Sequence, residues 1–295
     1  MAWQCTGLRW PEESGPPVLG WRQGSRTRGS ALAYGTELGF RAAGERHCSG
    51  ARGNVCPLAA SVPARSTGGR CPECGRLDRA HSVAADTIPD DPRTYRVYLA
   101  WFGPGMVKVG ITAEERGAAR LREQGAVVFS WLGRGPLMAA RRAEEVLRAA
   151  LGVPDRIPYA RKRAVRAELP DAAVRGAEVA ELYAKAAALE GRGWPEALER
   201  LPFGAVDHTG IFGIGGAAGA AKAVTGLVDG GAVAGRLVAA AGPDLHLDTG
   251  ADGVVVVDTR LMSGWALTAA GAGAGAGVSV PTVAVGGGAA QDGLF

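Results

Sequence analysis

Tyr95-Arg96-Val97-Tyr98-Leu99-Ala100-Trp101-Phe102-Gly103-Pro104-Gly105-Met106-Val107-Lys108-Val109-Gly110-Ile111-Thr112 reads as one β-hairpin. Its first run is rich in β-branched and aromatic residues, which fit a pleated surface. Gly-Pro-Gly then permits a tight reversal. The second run alternates apolar with other residues, as a half-buried return strand does. Side chains two apart on a strand point the same way. If Phe102 faces Met106 across the turn, Tyr98, Lys108 and Gly110 therefore share one side of the hairpin.

The pattern continues downstream. Residues Ala113 to Gln124 have helix-forming composition, with Thr112 as N-cap and Glu115 closing a capping box. Arg116 and Arg120 lie four apart and share a helix face. A third strand, Val127 to Leu132, precedes a second helix from Met138 to Leu151. That helix has Ala139, Ala143, Val146, Leu147 and Ala150 on its apolar face, Glu144 at the edge and Glu145 further out. The order is strand, strand, helix, strand, helix.

Upstream stand Cys48, Cys56, Cys71 and Cys74, spaced Cys-x7-Cys-x14-Cys-x2-Cys. Four thiolates can close a tetrahedral zinc shell at ~2.3 Å per bond, which makes such a site structural rather than reactive. Two disulfides would suit a secreted chain, but the first residues carry neither a basic nor an apolar export signal. A redox pair would follow a strand of a βαβ unit, and this one sits among glycines, prolines and arginines. His47 and His81 flank the cluster, and either could replace a cysteine as ligand. Cys5 stands alone and reads as a buried small apolar residue.

The bulk composition, 47% hydrophobic and 21% charged, is that of a globular chain. Its net charge of +4 is unevenly spread: residues 203–295 hold three basic and seven acidic side chains, which leaves +8 on residues 1–202. Arginine supplies most of that excess, and its planar fork matches phosphate oxygens, so a polyanion such as nucleic acid is the expected partner. No run qualifies as a membrane span, and cytoplasmic residence is the expectation.

Arg96-Val97-Tyr98, Lys108-Val109-Gly110-Ile111-Thr112, Arg120-Leu121 and Glu144 resemble the core of GIY-YIG nucleases. More broadly, the layout resembles an uncharacterised bacterial family that sets a four-cysteine cluster before such a core and a glycine-rich β segment after it. Thr87-Ile88-Pro89-Asp90-Asp91-Pro92 reads as a domain joint. Apolar runs between glycines, such as Gly210-Ile211-Phe212-Gly213-Ile214 and Gly253-Val254-Val255-Val256-Val257-Asp258, read as short strands. Together with the resemblance, an α+β fold in five parts is expected. Residues 1–90 are a β-rich zinc-binding region with Cys48, Cys56, Cys71 and Cys74 as ligands. Residues 91–170 are the ββαβα core and 171–202 a helical connector. Residues 203–268 are a small glycine-rich β domain and 269–295 a flexible Gly/Ala tail that does not pack.

The same resemblance assigns roles to four residues. Tyr98 handles a proton or orients a water, Arg120 stabilises charge on phosphorus, and Glu144, or Glu145, holds a divalent ion such as Mg²⁺. Lys108 stands where the family has its second tyrosine, and Gln124 where a histidine is common. Lysine as a base needs its pKa lowered by several units, and Gln124 cannot donate a proton as an acid. Phosphate-binding groups are kept while proton-moving groups are lost. The expected function is therefore binding of DNA or RNA through backbone phosphate. An active Mg-dependent endonuclease is one alternative and a protein-interaction or assembly module another.

Overall fold

The computed structural model describes residues 2–12, 15–80, 91–154, 156–189, 193–216, 218–271 and 277–286. Four strands come first, β1 (Trp3–Arg9), β2 (Val18–Gln23), β3 (Arg26–Ala31) and β4 (Glu37–Ala43), then the cysteine-bearing loop and α1 (Pro72–Arg79). Next come β5 (Thr94–Gly103), β6 (Met106–Ala113), α2 (Ala119–Gln124), β7 (Val128–Pro136) and α3 (Leu137–Leu151), in the order expected. They are followed by α4 (Tyr159–Val165), α5 (Ala172–Ala187), β8 (Glu199–Arg200), β9 (Val206–Asp207) and α6 (Thr209–Phe212). The chain continues through β10 (Ala220–Val224), β11 (Ala232–Ala241), β12 (Asp244–Asp248), β13 (Val254–Asp258), α7 (Thr259–Met262), β14 (Ala266–Ala269) and β15 (Thr282–Ala284).

The smaller of two sheets runs β6-β5-β7-β8, with β9 also paired to β7. Its central strand β5 is covered on both faces, which is why its sequence reads as a nearly unbroken apolar run. Tyr95, Val97 and Leu99 pack with Leu137, Ala140, Ala143 and Leu147 of α3 and with Leu182 and Ala186 of α5. Tyr98, Ala100 and Phe102 pack on the other side with Leu121 of α2. Tyr98 pairs with Gly110 and Ala100 with Lys108, and the irregularity between Trp101 and Gly103 leaves that register intact.

Several local expectations give way. The helix after the hairpin breaks in two: a 3-10 turn covers Glu114–Arg116 and α2 begins only at Ala119. Thr112 caps neither, because it is buried in β6 and paired with Arg96; Ala113 occupies the cap position without a side-chain bond. The buried stripe of α3 is Leu137, Ala140, Ala143 and Leu147, so the helix is turned from the face expected around Ala139, Val146 and Ala150. Residues 210–212, read as part of a short strand, belong to the helical turn α6. The N-cap of α5 is Asp171, whose carboxylate accepts from the Val174 N–H at 3.0 Å.

The larger correction concerns the outer segments. The first and last β regions form one sheet, ordered β15-β10-β13-β12-β11-β4-β14-β1-β2-β3. Strand β4 is hydrogen-bonded to β11 on one edge and to β14 on the other. Neither region would otherwise cover these edges, and an unpaired edge is costly and prone to association. The stretch expected to be an unpacked tail also contributes: β15 pairs with β10, and Val280 is buried. Residues 272–276 and 287–295 of that stretch, and residues 81–90 that span most of the expected joint at 87–92, lie outside the described residues. Among the described residues no helix is long and apolar enough to cross a membrane.

The two sheets meet through apolar and ionic contacts. Trp101, Val127 and Val128 of the smaller unit join Trp10, Phe212 and Ala239 to Ala241 in one buried cluster, and the Trp10 indole donates to the Gly242 carbonyl at 2.8 Å. Alongside, Arg163 reaches Asp244 at 2.6 Å and Asp258 at 2.7 Å, Arg166 reaches Asp244 at 2.6 Å, and Arg260 reaches Asp258 at 2.6 Å. Burial alone would raise the Asp244 carboxyl, but Arg166 and Arg163 hold it at about 2. Removing one partner of a buried pair costs ~3–5 kcal/mol, because the remaining charge is stranded. In Arg163→Met each carboxylate keeps a second arginine, Arg166 or Arg260, so the loss is smaller than that and the melting midpoint is expected to fall by roughly 2–8 °C. A midpoint within a degree of the parent, read by circular dichroism, would show that the lock contributes nothing.

Candidate metal centre and cationic sheet face

The cysteine loop leaves β4 and returns through α1, and this path gathers the four sulfurs. Cys71 is the N-cap of α1, Pro72 follows in the first turn, and Cys74 lies one helical step on. Cys48 and Cys56 come from the preceding loop, and all four ligand atoms lie within 4.8 Å of one another, buried. Cys56 and Cys71 are 4.0 Å apart, sulfur to sulfur. A tetrahedral shell with bonds of ~2.3 Å sets its sulfurs about 3.8 Å apart, so the quartet is compatible with a structural metal such as zinc.

Backbone amides support the sulfurs. The Gly50 and Cys71 N–H groups donate to the Cys48 sulfur at 3.3 and 3.2 Å, which fixes the position of that sulfur. Gly50 cannot be replaced simply: its φ is +80° and a Cβ there would meet the Asn54 carbonyl oxygen at 1.8 Å. His47 is not a member. Its Nδ1 lies 2.9 Å from the Ala59 carbonyl oxygen, outside the quartet, and His81 is outside the described residues. Cys5 is buried apart in the large core, where burial pushes its thiol up to about 12.

The loop is pinned to the large sheet by Arg46. This buried guanidinium donates to the carbonyls of Pro63, Ser66, Arg260 and Ser263 at 2.6–2.8 Å. Two of those carbonyls belong to the cysteine loop and two to the turn before β14, so one side chain fastens both.

The second region is the face of the small sheet on which Tyr98 lies. Across β6, β5 and β7 the register sets Lys108, Ala100 and Phe129 in one row, Gly110, Tyr98 and Trp131 in the next, and Thr112, Arg96 and Arg134 in a third. The Tyr98 ring lies over Gly110, where a Cβ would come within 2.3 Å of the hydroxyl. Glycine opposite the tyrosine is thus a packing requirement.

Of the four residues marked in the sequence, Tyr98 and Lys108 share this face as expected. Tyr98 itself is only 1% exposed, and its hydroxyl accepts from the Gln124 side-chain amide at 2.8 Å. Burial raises its ionisation above the ordinary phenol range. Gln124 and Arg120 oppose that shift and Glu144 adds to it, so both Arg120 and Glu144 lie within electrostatic reach. Glu144 is half-buried and Glu145 exposed, and the helix that carries both, α3, packs on the face of β5 opposite Tyr98. Arg120 sits at the surface of α2, 3.6 Å from Glu123, which also takes Arg116 at 2.7 Å.

Two groups that the sequence does not single out lie close to Tyr98 and Gln124. Lys162 of α4 is buried, donates to the Gln124 carbonyl at 2.9 Å, and lies 3.9 Å over the Phe102 ring. Burial and the cations Arg166 and Lys108 lower it to about 7. It lies beyond the stretch that carries the resemblance, within the basic run 156–163, where nothing marks one cation as buried. The second is Trp131, half-buried beside Tyr98 with its ring centre 6.4 Å away.

These features define a mixed α+β protein with a buried cysteine quartet of metal-binding geometry. The family model for proteins of unknown function designated DUF2797 matches residues 35–267, and the chain belongs to that family. No curated protein and no solved structure matches it.

Metal binding by cysteine requires loss of the thiol protons, so metal is expected to be released as pH falls and retained as it rises. Purified protein should carry one equivalent of metal per chain by mass spectrometry. Cys74→Ser should lose it and melt at lower temperature. A metal-free parent with an undiminished midpoint would refute a structural metal here.

Proposed function

We propose that the protein binds the phosphate backbone of a nucleic acid, DNA or RNA, at the rim of the small sheet's Tyr98 face, where Lys108 and Arg120 reach the surface. In this reading the sheet and its helices are a degenerate GIY-YIG-like core, and the cysteine quartet holds a structural zinc. Cys48, Cys56, Cys71 and Cys74 would be its ligands, and zinc would supply a closed shell that shapes the loop. The observation that carries the reading is the pairing of a capped, buried phenol with nearby cations. Gln124 occupies the Tyr98 hydroxyl, and burial opposes loss of its proton. Meanwhile Lys108 and Arg120 supply positive charge around it. Such a site attracts an oxyanion without offering a ready base.

Each neutralised phosphate contributes about −0.7 to −0.9 to the slope of log K against log salt. Fluorescence anisotropy with labelled DNA and RNA oligonucleotides should show a steep slope. Arg120→Ala should reduce its magnitude by about one with little change in fold. Affinity indifferent to salt would eliminate the reading.

A second reading, metal-dependent phosphodiester cleavage, is favoured by Glu144, whose charge is felt at the Tyr98 hydroxyl. A Mg²⁺ ion at this carboxylate would polarise the phosphate and neutralise the leaving oxygen. Tyr98 would then orient the attacking water and Arg120 would hold the phosphoryl oxygens. Incubation of single-stranded, duplex and branched substrates with Mg²⁺ tests it. Cleavage by the parent that disappears in Glu144→Ala would support the enzyme, whereas cleavage that survives the substitution would trace to a contaminant.

A further inference from the structure

Beside the proposed phosphate site the same sheet face carries a flat cationic–aromatic shelf. Trp131 stands directly across from Tyr98 in the β5–β7 register. Its ring is fixed by edge-on contacts with Tyr98, 6.4 Å between ring centres at 78°, and with Phe129, 5.1 Å at 75°. The Arg96 guanidinium lies over it, 5.1 Å from the ring centre. Glu114 holds that guanidinium through Nε at 2.9 Å and Nη2 at 2.6 Å. Both shelf residues are partly exposed.

The charge arrangement decides what this shelf suits. Glu114 already answers the charge of Arg96, so Arg96 adds little as a point attractor for phosphate. What remains is its plane, presented in a fixed orientation and backed by an indole. Bases stack on aromatic rings and on guanidinium planes, and they do so with little regard to sequence. A surface already locked before binding loses little freedom when a flat ring lands on it.

We propose that the Trp131–Arg96 shelf receives an unpaired nucleobase next to the phosphate held near Tyr98, which makes single-stranded nucleic acid the preferred ligand. This inference rests on the phosphate-binding reading above and adds the substrate class to it. A base inside a duplex is already stacked on its neighbours and cannot present its face, so a blunt duplex engages the phosphate groups alone.

The test is anisotropy with the full-length protein, using a labelled single-stranded 12-mer of mixed sequence and a blunt duplex of equal length. Trp131→Leu keeps apolar bulk and removes the aromatic face, while Arg96→Lys keeps charge and removes the plane. Each should weaken single-strand binding by about fivefold to a hundredfold. The salt slope and the duplex affinity should stay at parental values, and Trp131→Tyr should restore most of the loss. Arg96→Lys carries the test alone if Trp131→Leu fails to fold. Single-strand affinity unchanged in both variants, with Arg120→Ala still weakened, would overturn the shelf and leave the phosphate site standing. Equal losses in Trp131→Tyr and Trp131→Leu would assign Trp131 a packing role only and would also overturn it. No binding by the parent protein would remove the phosphate reading and the shelf together.

Discussion

Strand β4 is the hinge of the architecture because both of its edges are occupied. It pairs with β11 through Ala232 to Arg236 on one side and with β14 through Ala266 to Ala269 on the other. A strand near the start of the chain thus lies inside a sheet whose neighbouring strands come from its end. Backbone N–H and C=O groups on such inner edges have to be paired, since burying them unpaired costs free energy comparable to a lost hydrogen bond. The N- and C-terminal segments therefore complete each other. Everything between them, the cysteine loop and the small sheet included, is held in a closed circuit of chain.

The two candidate sites depend on that circuit in different ways. The cysteine loop begins just after β4, and Arg46 ties its Pro63 and Ser66 carbonyls to those of Arg260 and Ser263 ahead of β14. A metal held by the four cysteines would stiffen a loop whose feet are already planted. The Tyr98 face is instead set by α4, which crosses from the small unit to the large one. On one side α4 sends Lys162 to the Gln124 carbonyl, and Gln124 caps Tyr98. On the other it sends Arg163 into the carboxylates of Asp244 and Asp258. The position of the phenol is thereby coupled to the ionic junction between the sheets, through one short helix.

Charge follows the same division. The acidic excess of the last third, which seemed to set that region apart, is partly consumed inside the protein: Asp244 and Asp258 neutralise Arg163, Arg166 and Arg260. Asp207 is likewise taken by Arg175 at 2.6 Å. The cations that remain near the surface of the small sheet, Arg96, Arg120 and Arg134 among them, sit beside Glu114, Glu123 and Glu199. The face is consequently a pattern of guided guanidinium planes more than a bare positive patch. Planes and forks confer geometry on recognition, whereas unpaired charge confers attraction.

Much was legible from local sequence. The hairpin, the order of strands and helices from 94 to 151, the pairing of Tyr98 with Gly110 and the convergence of four thiols all depend on local spacing, and spacing survives folding. The cap at Thr112, the strand around Ile211 and the apolar face of α3 were misread, because tertiary pairing and packing outweighed local preference there. The sequence by itself determined which segments alternate, where the turns fall and that four thiols can meet. Only the tertiary structure decided that the chain's two ends share one sheet, that Gln124 rather than solvent meets the Tyr98 hydroxyl, and that Lys162 lies buried behind it. Those outcomes come from contacts between residues tens to hundreds of positions apart, and no short-range pattern encodes which distant partner will satisfy a given edge, carbonyl or charge.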